Sequence, residues 1–559
     1  MKRISLAFLI TLFLLSHAVA QTPSWAKKAA TAVFTLKTFG ADGQLLGSAN
    51  GFFIGADGEA VSSFTPFKGA VRAVIIDAQG KEWPVTEIKG ADDTYDVAKF
   101  QVDIKKTATL PIATANAASG STTWLLPYSV KKVPTCPQGK ITDAEPFQDS
   151  YAYYTLDMPA QEQHIGCPLL NESGEAIGLL QPSHDAKSGK SYAVSARYAG
   201  SLRIGALSIN DPVLRSTRIA KALPEKQDEA LLALYTSATA LDSVQYVDYI
   251  DRFIQKYPNV TDGYVYRARN LAAAGRYADA DADMQQAVKV ADRKDDAYYQ
   301  YAQLIYQKEL YRPGDTFAAW SLDKALGESL EAYRQNPMPI YRQQQAQILY
   351  AQKKYDEAYG IYDELTHSPL RSPDIFYAAA QCKLQAGDRD AHIALLDSAV
   401  NQFSKPYVRT AAPYLLARAQ ALYEAGKYRP AVNDYNTYGE LMSAQLTADF
   451  YYLREQAEFA GHLYQQALDD IRQAVTMAPA EPAYLAEQAR VELRVGMNDE
   501  AALTAARCVN LAPQESDGYL LLGLAQCLKG QKQEGVQNLQ KAKELGNSQA
   551  QALIEKYSK

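Results

Sequence analysis

The side chains able to do covalent chemistry are few in this 559-residue chain, which holds six histidines and five cysteines. A thiol nucleophile needs an imidazole within hydrogen-bond reach to take its proton. His164 and Cys167 offer such a pair, but residues this close along a strand seldom meet in that geometry. No histidine lies between His17 and His164, so nothing upstream of residue 164 can serve as an imidazole base once the first residues are removed. Cys136 and Cys167 fall in the same N-terminal region, where a disulfide between them and two separate buried thiols are both open readings. Cys382, Cys508 and Cys527 read as small apolar residues of helices. Asp92-Asp93 reads as a solvated turn, and Asp279, Asp281, Asp283, Asp295 and Asp296 as exposed helix faces. There is no zinc-ligand spacing and no phosphate-binding glycine loop, so no metal or cofactor is expected.

Non-covalent chemistry is better supplied. Gln303, Gln347, Gln381, Gln420 and Gln456 recur at one repeat position, with Arg269 and Arg490 standing at the same place in the flanking repeats. A primary amide donates and accepts together, which suits the main chain of an extended peptide. The 38 tyrosines add apolar area with a polar tip at small entropic cost. The elements that must position these groups are helices. Beyond Leu223 glycine thins out and apolar residues recur at three and four. Repeats start at about Thr261, Asp295, Pro339, Pro373, Ala412, Ala448, Pro482 and Ser516, and four of the steps are 34 residues, the period of a two-helix repeat. Small residues hold repeat position 8 (Ala268, Ala302, Ala346, Ala380, Ala419, Ala489, Gly523) and position 20 (Ala280, Ala358, Ala431, Ala467, Ala501), with His392 departing. Gln227 to Pro258 reads as a capping repeat, and an insertion is expected around Tyr311 to Trp320. About 300 residues thus resemble the tetratricopeptide repeat family. The resemblance implies a superhelix whose inner face is built by each repeat's first helix. Positions 5, 9 and 12 of that helix share a face. Position 9 carries the amide ladder, position 5 contributes Tyr299, Tyr377 and Tyr452, and position 12 contributes Tyr306, Tyr350 and Tyr423. A peptide-binding groove is expected there. The ladder lacks the Lys and Asn cluster of a pocket specialised for a peptide's C-terminal carboxylate.

The N-terminal region has a different texture. Glycine-punctuated alternating runs at Thr31–Leu36, Gly51–Gly55, Val71–Ile76, Val97–Val102 and Ala176–Leu180 read as short strands joined by tight turns. Three segments in order, Gly47-Ser-Ala-Asn-Gly-Phe-Phe-Ile-Gly-Ala-Asp-Gly, Asp93-Thr-Tyr-Asp-Val-Ala-Lys-Phe and Ile165-Gly-Cys-Pro-Leu-Leu-Asn-Glu-Ser-Gly, resemble the trypsin-like serine proteases of the Do, or high-temperature-requirement, branch. The resemblance implies a double β-barrel and puts Thr65 at the histidine position, Asp96 at the aspartate position and Ile165 at the serine position. Hydrolysis needs a hydroxyl nucleophile, an imidazole and a carboxylate that orients it, and two of the three are absent. A strand edge of such a barrel could still hold a peptide by strand addition.

Charge and termini complete the reading. Lys and Arg number 57 against 63 Asp and Glu, a net charge of −6, and no basic block marks a nucleic-acid surface. Lys2-Arg3, an apolar stretch to Leu15 and Ala18-Val19-Ala20 form a secretory signal with cleavage expected after Ala20. Gln21 stands where a lipoprotein would need cysteine. The expected organisation is a signal peptide (1–20), an all-β trypsin-like double barrel (21–215), a linker (216–226) and an all-α tetratricopeptide superhelix (227–559). The expected protein is exported, periplasmic or secreted, without a membrane-spanning segment after cleavage. It is read as a non-catalytic scaffold that binds protein or peptide, with an active serine or cysteine endopeptidase whose repeats recruit substrate as the alternative.

Overall fold

A computed structural model describes residues 22–130, 135–148, 150–159, 161–183 and 189–558; the signal segment lies outside them. Two compact units divide the chain. One runs to Ala274 and takes in Asp279–Val290, and the other comprises Gly275–Ala278 and the chain from Ala291 onward.

The first unit opens with α1 (Ala26–Ala29) and two six-stranded sheets, each closed into an antiparallel barrel. The first barrel joins β1 (Val33–Phe39), β2 (Leu45–Phe53), β3 (Glu59–Ser62), β4 (Arg72–Ile76), β5 (Glu82–Asp92) and β6 (Val97–Val102) in the order β1-β2-β3-β6-β5-β4. The second joins β7 (Thr122–Leu125), β8 (Gln138–Phe147), β9 (Tyr151–Leu156), β10 (Pro168–Leu170), β11 (Ala176–Gln181) and β12 (Ser191–Ser195) in the order β10-β11-β12-β9-β8-β7. Alternation along each strand serves two cores at once. Phe34 and Leu36 of β1 fill the first barrel with Phe53, Ile75, Ile88 and Phe100. Val33, one residue away, faces a core shared by both barrels, with Phe52, Val61 and Val97 meeting Leu126, Leu170, Leu179 and Val194. Gly51 must be glycine, because a Cβ there would lie 2.4 Å from the Val61 carbonyl oxygen and 2.6 Å from the Phe34 ring. Every strand pairs with two neighbours, but not along its whole length: the β7–β8 ladder covers Gln138–Lys140, while β8 continues along β9 to Phe147.

Two short helices, α2 (Ala196–Ser201) and α3 (Pro212–Arg215), follow the second barrel. The segment after them is strapped to the first barrel. The N–H of Ile88 donates to Ala220, and that of Ala222 to Ile88, both at 2.8 Å. Ile219 and Ala222 are buried in the barrel's core.

The rest is helical: α4 (Gln227–Ala240), α5 (Ser243–Lys256), α6 (Thr261–Ala273), α7 (Tyr277–Val290), α8 (Lys294–Tyr311), α9 (Leu322–Gln335), α10 (Pro339–Ala351), α11 (Tyr355–Thr366), α12 (Pro373–Gln385), α13 (Arg389–Val400), α14 (Ala412–Glu424), α15 (Tyr428–Leu441), α16 (Ala448–Ala460), α17 (Tyr464–Met477), α18 (Pro482–Arg494), α19 (Asn498–Leu511), α20 (Ser516–Leu528), α21 (Lys532–Glu544) and α22 (Ala550–Tyr557). First helices begin at the residues the repeat spacing selects, apart from α8, which starts one residue early. The small positions mark where the two helices of a repeat cross. At Gly523 a Cβ would come within 2.7 Å of the Gly535 carbonyl, its position-20 partner. His392 fits the same crossing by placing Nδ1 2.8 Å from the Ala380 carbonyl oxygen. No helix among the described residues is long and apolar enough to cross a membrane.

Candidate functional site

β3 ends at Ser62 and the chain tightens into a turn at Thr65–Phe67, while the β5–β6 connection carries Asp96 with φ +46°. These bring Thr65 and Asp96 together through the main chain. The Thr65 N–H donates to Asp96 Oδ1 at 2.6 Å, and the Phe64 N–H donates to the Asp96 carbonyl at 3.3 Å. The carboxylate that would orient an imidazole holds backbone instead. Ile165 leaves the helical turn Glu162–His164, and its N–H donates back to the Glu162 carbonyl at 3.1 Å. Acyl transfer needs the backbone N–H of the nucleophile residue free to bind the developing oxyanion; here that donor is spent. The Ile165 carbonyl in turn accepts the Asn50 N–H at 2.8 Å, and Asn50 Nδ2 donates to the Gln163 carbonyl at 2.6 Å. Gly166, at φ +81°, permits this lock, since a Cβ there would lie 2.0 Å from the Asn50 carbonyl oxygen.

His164 and Cys167 do not assemble a nucleophile and base. Cys167 is wholly buried in the second barrel's core, where desolvation pushes its thiol up to about 12 and leaves little thiolate at neutral pH. Burial lowers the pKa of His164. Its carbonyl, and not its ring, accepts from the Cys167 N–H at 3.0 Å. The disulfide weighed between Cys136 and Cys167 is not formed, and all five cysteines are free thiols. Burial raises Cys136 to about 11.

On the helical unit the amides and the tyrosines separate into two roles. Gln347 and Gln420 are exposed and Gln303 and Gln381 half-buried, and their side-chain amides make no hydrogen bond among the described residues. Gln456 donates to Glu455 at 2.6 Å, and Arg490 is held by Glu487. Arg269 belongs to the first unit, where it is exposed with its guanidinium 5.9 Å from the Tyr266 ring. The tyrosines pack on one another. Between successive repeats Tyr299 meets Tyr341 at 5.5 Å, Tyr377 meets Tyr414 at 6.1 Å and Tyr452 meets Tyr484 at 5.2 Å between ring centroids. Tyr341 and Tyr414 then donate to Asp295 at 2.8 Å and Asp374 at 2.5 Å, and Tyr484 donates to Asp449. Within a repeat Tyr350 packs on Tyr355 and Tyr423 on Tyr428. Tyr306 is half-buried, and its pKa is raised by burial and by Tyr311. Tyrosine therefore glues the repeats, and glutamine is left available.

Two acidic positions correct the sequence reading. Asp283 and Asp295 are 7% and 6% exposed, not solvated faces. Arg267 grips Asp283 through Nε and Nη2 at 2.7 Å each and reaches Asp251 with Nη1 at 2.8 Å. The same clamp recurs as Arg418 on Asp434 and Asp397, and as Arg454 on Asp470 and Asn436. Arginine at position 7 and aspartate at position 23 of one repeat, a fixed separation of 16 residues, was the signal available in the sequence. Asp295 accepts from Tyr341 and Asn336, and despite burial these bonds, with one from Arg293, hold its carboxyl down at about 2. The largest departure is Glu455. It occupies position 8, where the other repeats place alanine or glycine, is 0% exposed, and leaves Oε1 without a hydrogen bond.

The family described as the trypsin-like peptidase domain matches residues 49–179. The N-terminal region is thus a trypsin-like double barrel, followed by an all-α region of paired helices. Among solved structures, the active form of the Rv3671c protease from M. tuberculosis is 15% identical with a TM-score of 0.29, over 38% of this chain and 90% of its own. An inactive form of the same protein from strain H37Rv, with its serine changed to alanine, is 18% identical with a TM-score of 0.27, over 33% of this chain and 90% of its own. No curated protein sequence matches the chain.

Proposed function

We propose that the protein is an exported, non-catalytic scaffold in which a trypsin-like barrel pair accompanies a tetratricopeptide-type groove that binds a segment of another protein. The observation that carries the binding half is the row Gln303, Gln347, Gln381 and Gln420, whose amides make no hydrogen bond among the described residues and repeat at the spacing of the helices. Four such groups offer donors and acceptors to an extended main chain, while their tyrosine neighbours keep the row in register. The non-catalytic half rests on Asp96, whose carboxylate is bonded to the Thr65 N–H, and on threonine and isoleucine at the base and nucleophile positions. Threonine takes no proton near neutral pH, and isoleucine has no lone pair. The leader residues 1–20 support export.

Two measurements test this. A pull-down from the native cell envelope, comparing wild type with Gln381→Ala/Gln420→Ala, is expected to lose one partner; unchanged recovery would remove the groove. Casein and covalent serine or cysteine probes are expected to remain uncleaved and unattached. Labelling of Cys167 with turnover would establish the peptidase alternative.

A further inference from the structure

At the carboxyl end of the helical unit, α18, α20 and α22 wall a cavity of about 740 Å³, a volume in the range of small-ligand pockets. Its floor is aliphatic, formed by Leu493, Leu520, Leu521, Leu524, Leu528 and Leu553. Leu524 occupies position 9, so leucine replaces the ladder's amide where this cavity begins, and Leu520 stands at position 5 in place of tyrosine. Two guanidinium groups, Arg490 and Arg494, stand in its wall one turn apart on α18. Arg490 lies over the Phe459 ring, 3.5 Å from its centroid, with Nε 2.7 Å from Glu487 Oε1. Its Nη2 also meets Glu487, and Nη1 makes no hydrogen bond among the described residues. Arg494 donates Nη2 to the Tyr464 hydroxyl at 2.9 Å and lies over the Tyr464 ring, 4.8 Å from its centroid, while its other N–H groups make no hydrogen bond among the described residues. The two carboxylates of the lining are each engaged through one oxygen. Glu487 is occupied by Arg490, and Asp517 accepts from Asn547 at 3.1 Å and from Ser516 at 3.3 Å. Unspent donors facing an aliphatic floor complement a ligand with an apolar body and an anionic head.

We propose that this cavity binds an aliphatic carboxylate, with its chain on the leucines and its head group between Arg490 and Arg494. The site stands whether or not the amide ladder binds peptide, because only Arg490 is common to both. A peptide terminus fits less well, since a main chain entering the cavity would meet Leu524 where it needs an amide partner.

The buried Glu455 bears on the same wall. Its Oε1 is 3.7 Å from Arg490 Nη2, and Glu487, Arg490, Gln456, Tyr423 and Tyr452 are the polar groups around it. Burial and then the neighbouring Glu487 push its carboxyl up to about 9. Near neutral pH it is therefore uncharged and does not oppose an anionic head, whereas ionisation above about pH 9 adds a negative charge behind Arg490.

The test is isothermal titration of the full mature protein with decanoate, with decylammonium and a leucine-terminated peptide acid in parallel. Saturable binding of decanoate alone is expected. Arg494→Gln, an exposed change, is expected to weaken it by about tenfold, the loss of one charge-assisted bond. Arg490→Gln/Arg494→Gln is expected to abolish it, with circular dichroism confirming the fold. Affinity is expected to fall through about pH 9 in wild type and not in Glu455→Gln. Equal binding of decylammonium, no saturable decanoate binding, binding of the peptide acid in its place, or no effect of Arg494→Gln would each overturn the proposal.

Discussion

Replacing Glu455 with glutamine should stabilise the helical unit by an amount that grows with pH. The carboxyl has an ordinary value of 4.5 and is raised to about 9 in the folded chain, first by desolvation and then by Glu487. The sign follows from proton linkage. An acid whose folded pKa is raised costs nothing below its unfolded pKa, because both states are protonated there. Between the two values the unfolded chain releases the proton and the folded chain keeps it, so stability falls as pH rises until the folded pKa is passed. Each pH unit in that window costs about 1.4 kcal/mol. At pH 7, about two and a half units above the lower limit, the penalty is roughly 3 kcal/mol, and near pH 5 it is below about 1 kcal/mol. Glutamine has nearly the shape of the neutral acid and carries no ionisation penalty. The quantity to measure is the difference in urea-unfolding free energy between Glu455→Gln and wild type, followed by far-ultraviolet circular dichroism at pH 5, 7 and 8. A difference that increases by about 2 kcal/mol or more from pH 5 to pH 7 is expected. Glu458, raised to about 8 by burial and by Asp470, loses stability in the same direction in both proteins and cancels in the difference. A pH-independent difference, or one that shrinks on raising the pH, would refute the assignment of a buried, protonated Glu455.

The other predictions probe the barrel, the clamps and the turns. Ile165→Ser, which restores only the hydroxyl, should acquire no labelling by a fluorophosphonate probe, because the base is absent and the residue-165 N–H is donated to Glu162; labelling above wild type would contradict the reading of the cleft. Arg418→Ala strands Asp434, whose side chain is 10% exposed, and should cost roughly 2–4 kcal/mol in urea unfolding, while Arg418→Lys, which loses the bidentate geometry but keeps the charge, should cost about half as much. Equal losses would show that charge alone matters. Lys353 holds φ +63° at the turn position where Gly275, Gly387, Gly426, Gly496 and Gly530 stand in other repeats and His462 in one, so Lys353→Gly should raise stability by about 0.5–1 kcal/mol, measured as a shift in unfolding midpoint. Gly166→Ala places a methyl 2.0 Å from the Asn50 carbonyl oxygen and should expose the barrel pair to limited proteolysis under conditions in which wild type resists cleavage.

The sequence made the helical starts legible because their signal is local and repeated. Proline, alanine or a small polar residue stands at each repeat start, and alanine or glycine recurs where two backbones approach, with Glu455 and His392 as the departures. The barrels were legible for a similar reason. Gly51 and the alternation of β1 follow from strand geometry, whichever partner the strand finds. What escaped were pairings that depend on the facing element. Asp283 and Asp295 look like any acidic residue on a helix until Arg267 and Tyr341 are placed opposite them. The tyrosines expected to line a groove also join repeats, because a ring at position 5 packs against the position-3 tyrosine of the next repeat.

Glu455 is the instructive case. The small-residue rule at position 8 made its departure visible, yet only burial turns that departure into chemistry. A carboxyl at a helix crossing, with one oxygen unpaired, is an expense that packing alone does not require, since alanine fills the same position in the neighbouring repeats on both sides. Its position behind Arg490, in the wall of the leucine-lined cavity, supplies a reason for it. A neutral acid there leaves the guanidinium pair with spare donors, whereas alanine would remove the titration and an ionised glutamate would offset the charge of Arg490. The part of the pH dependence of stability that Glu455 contributes, and the pH dependence of decanoate binding, should therefore both disappear in Glu455→Gln. Loss of the first with retention of the second would separate the buried acid from the cavity it backs.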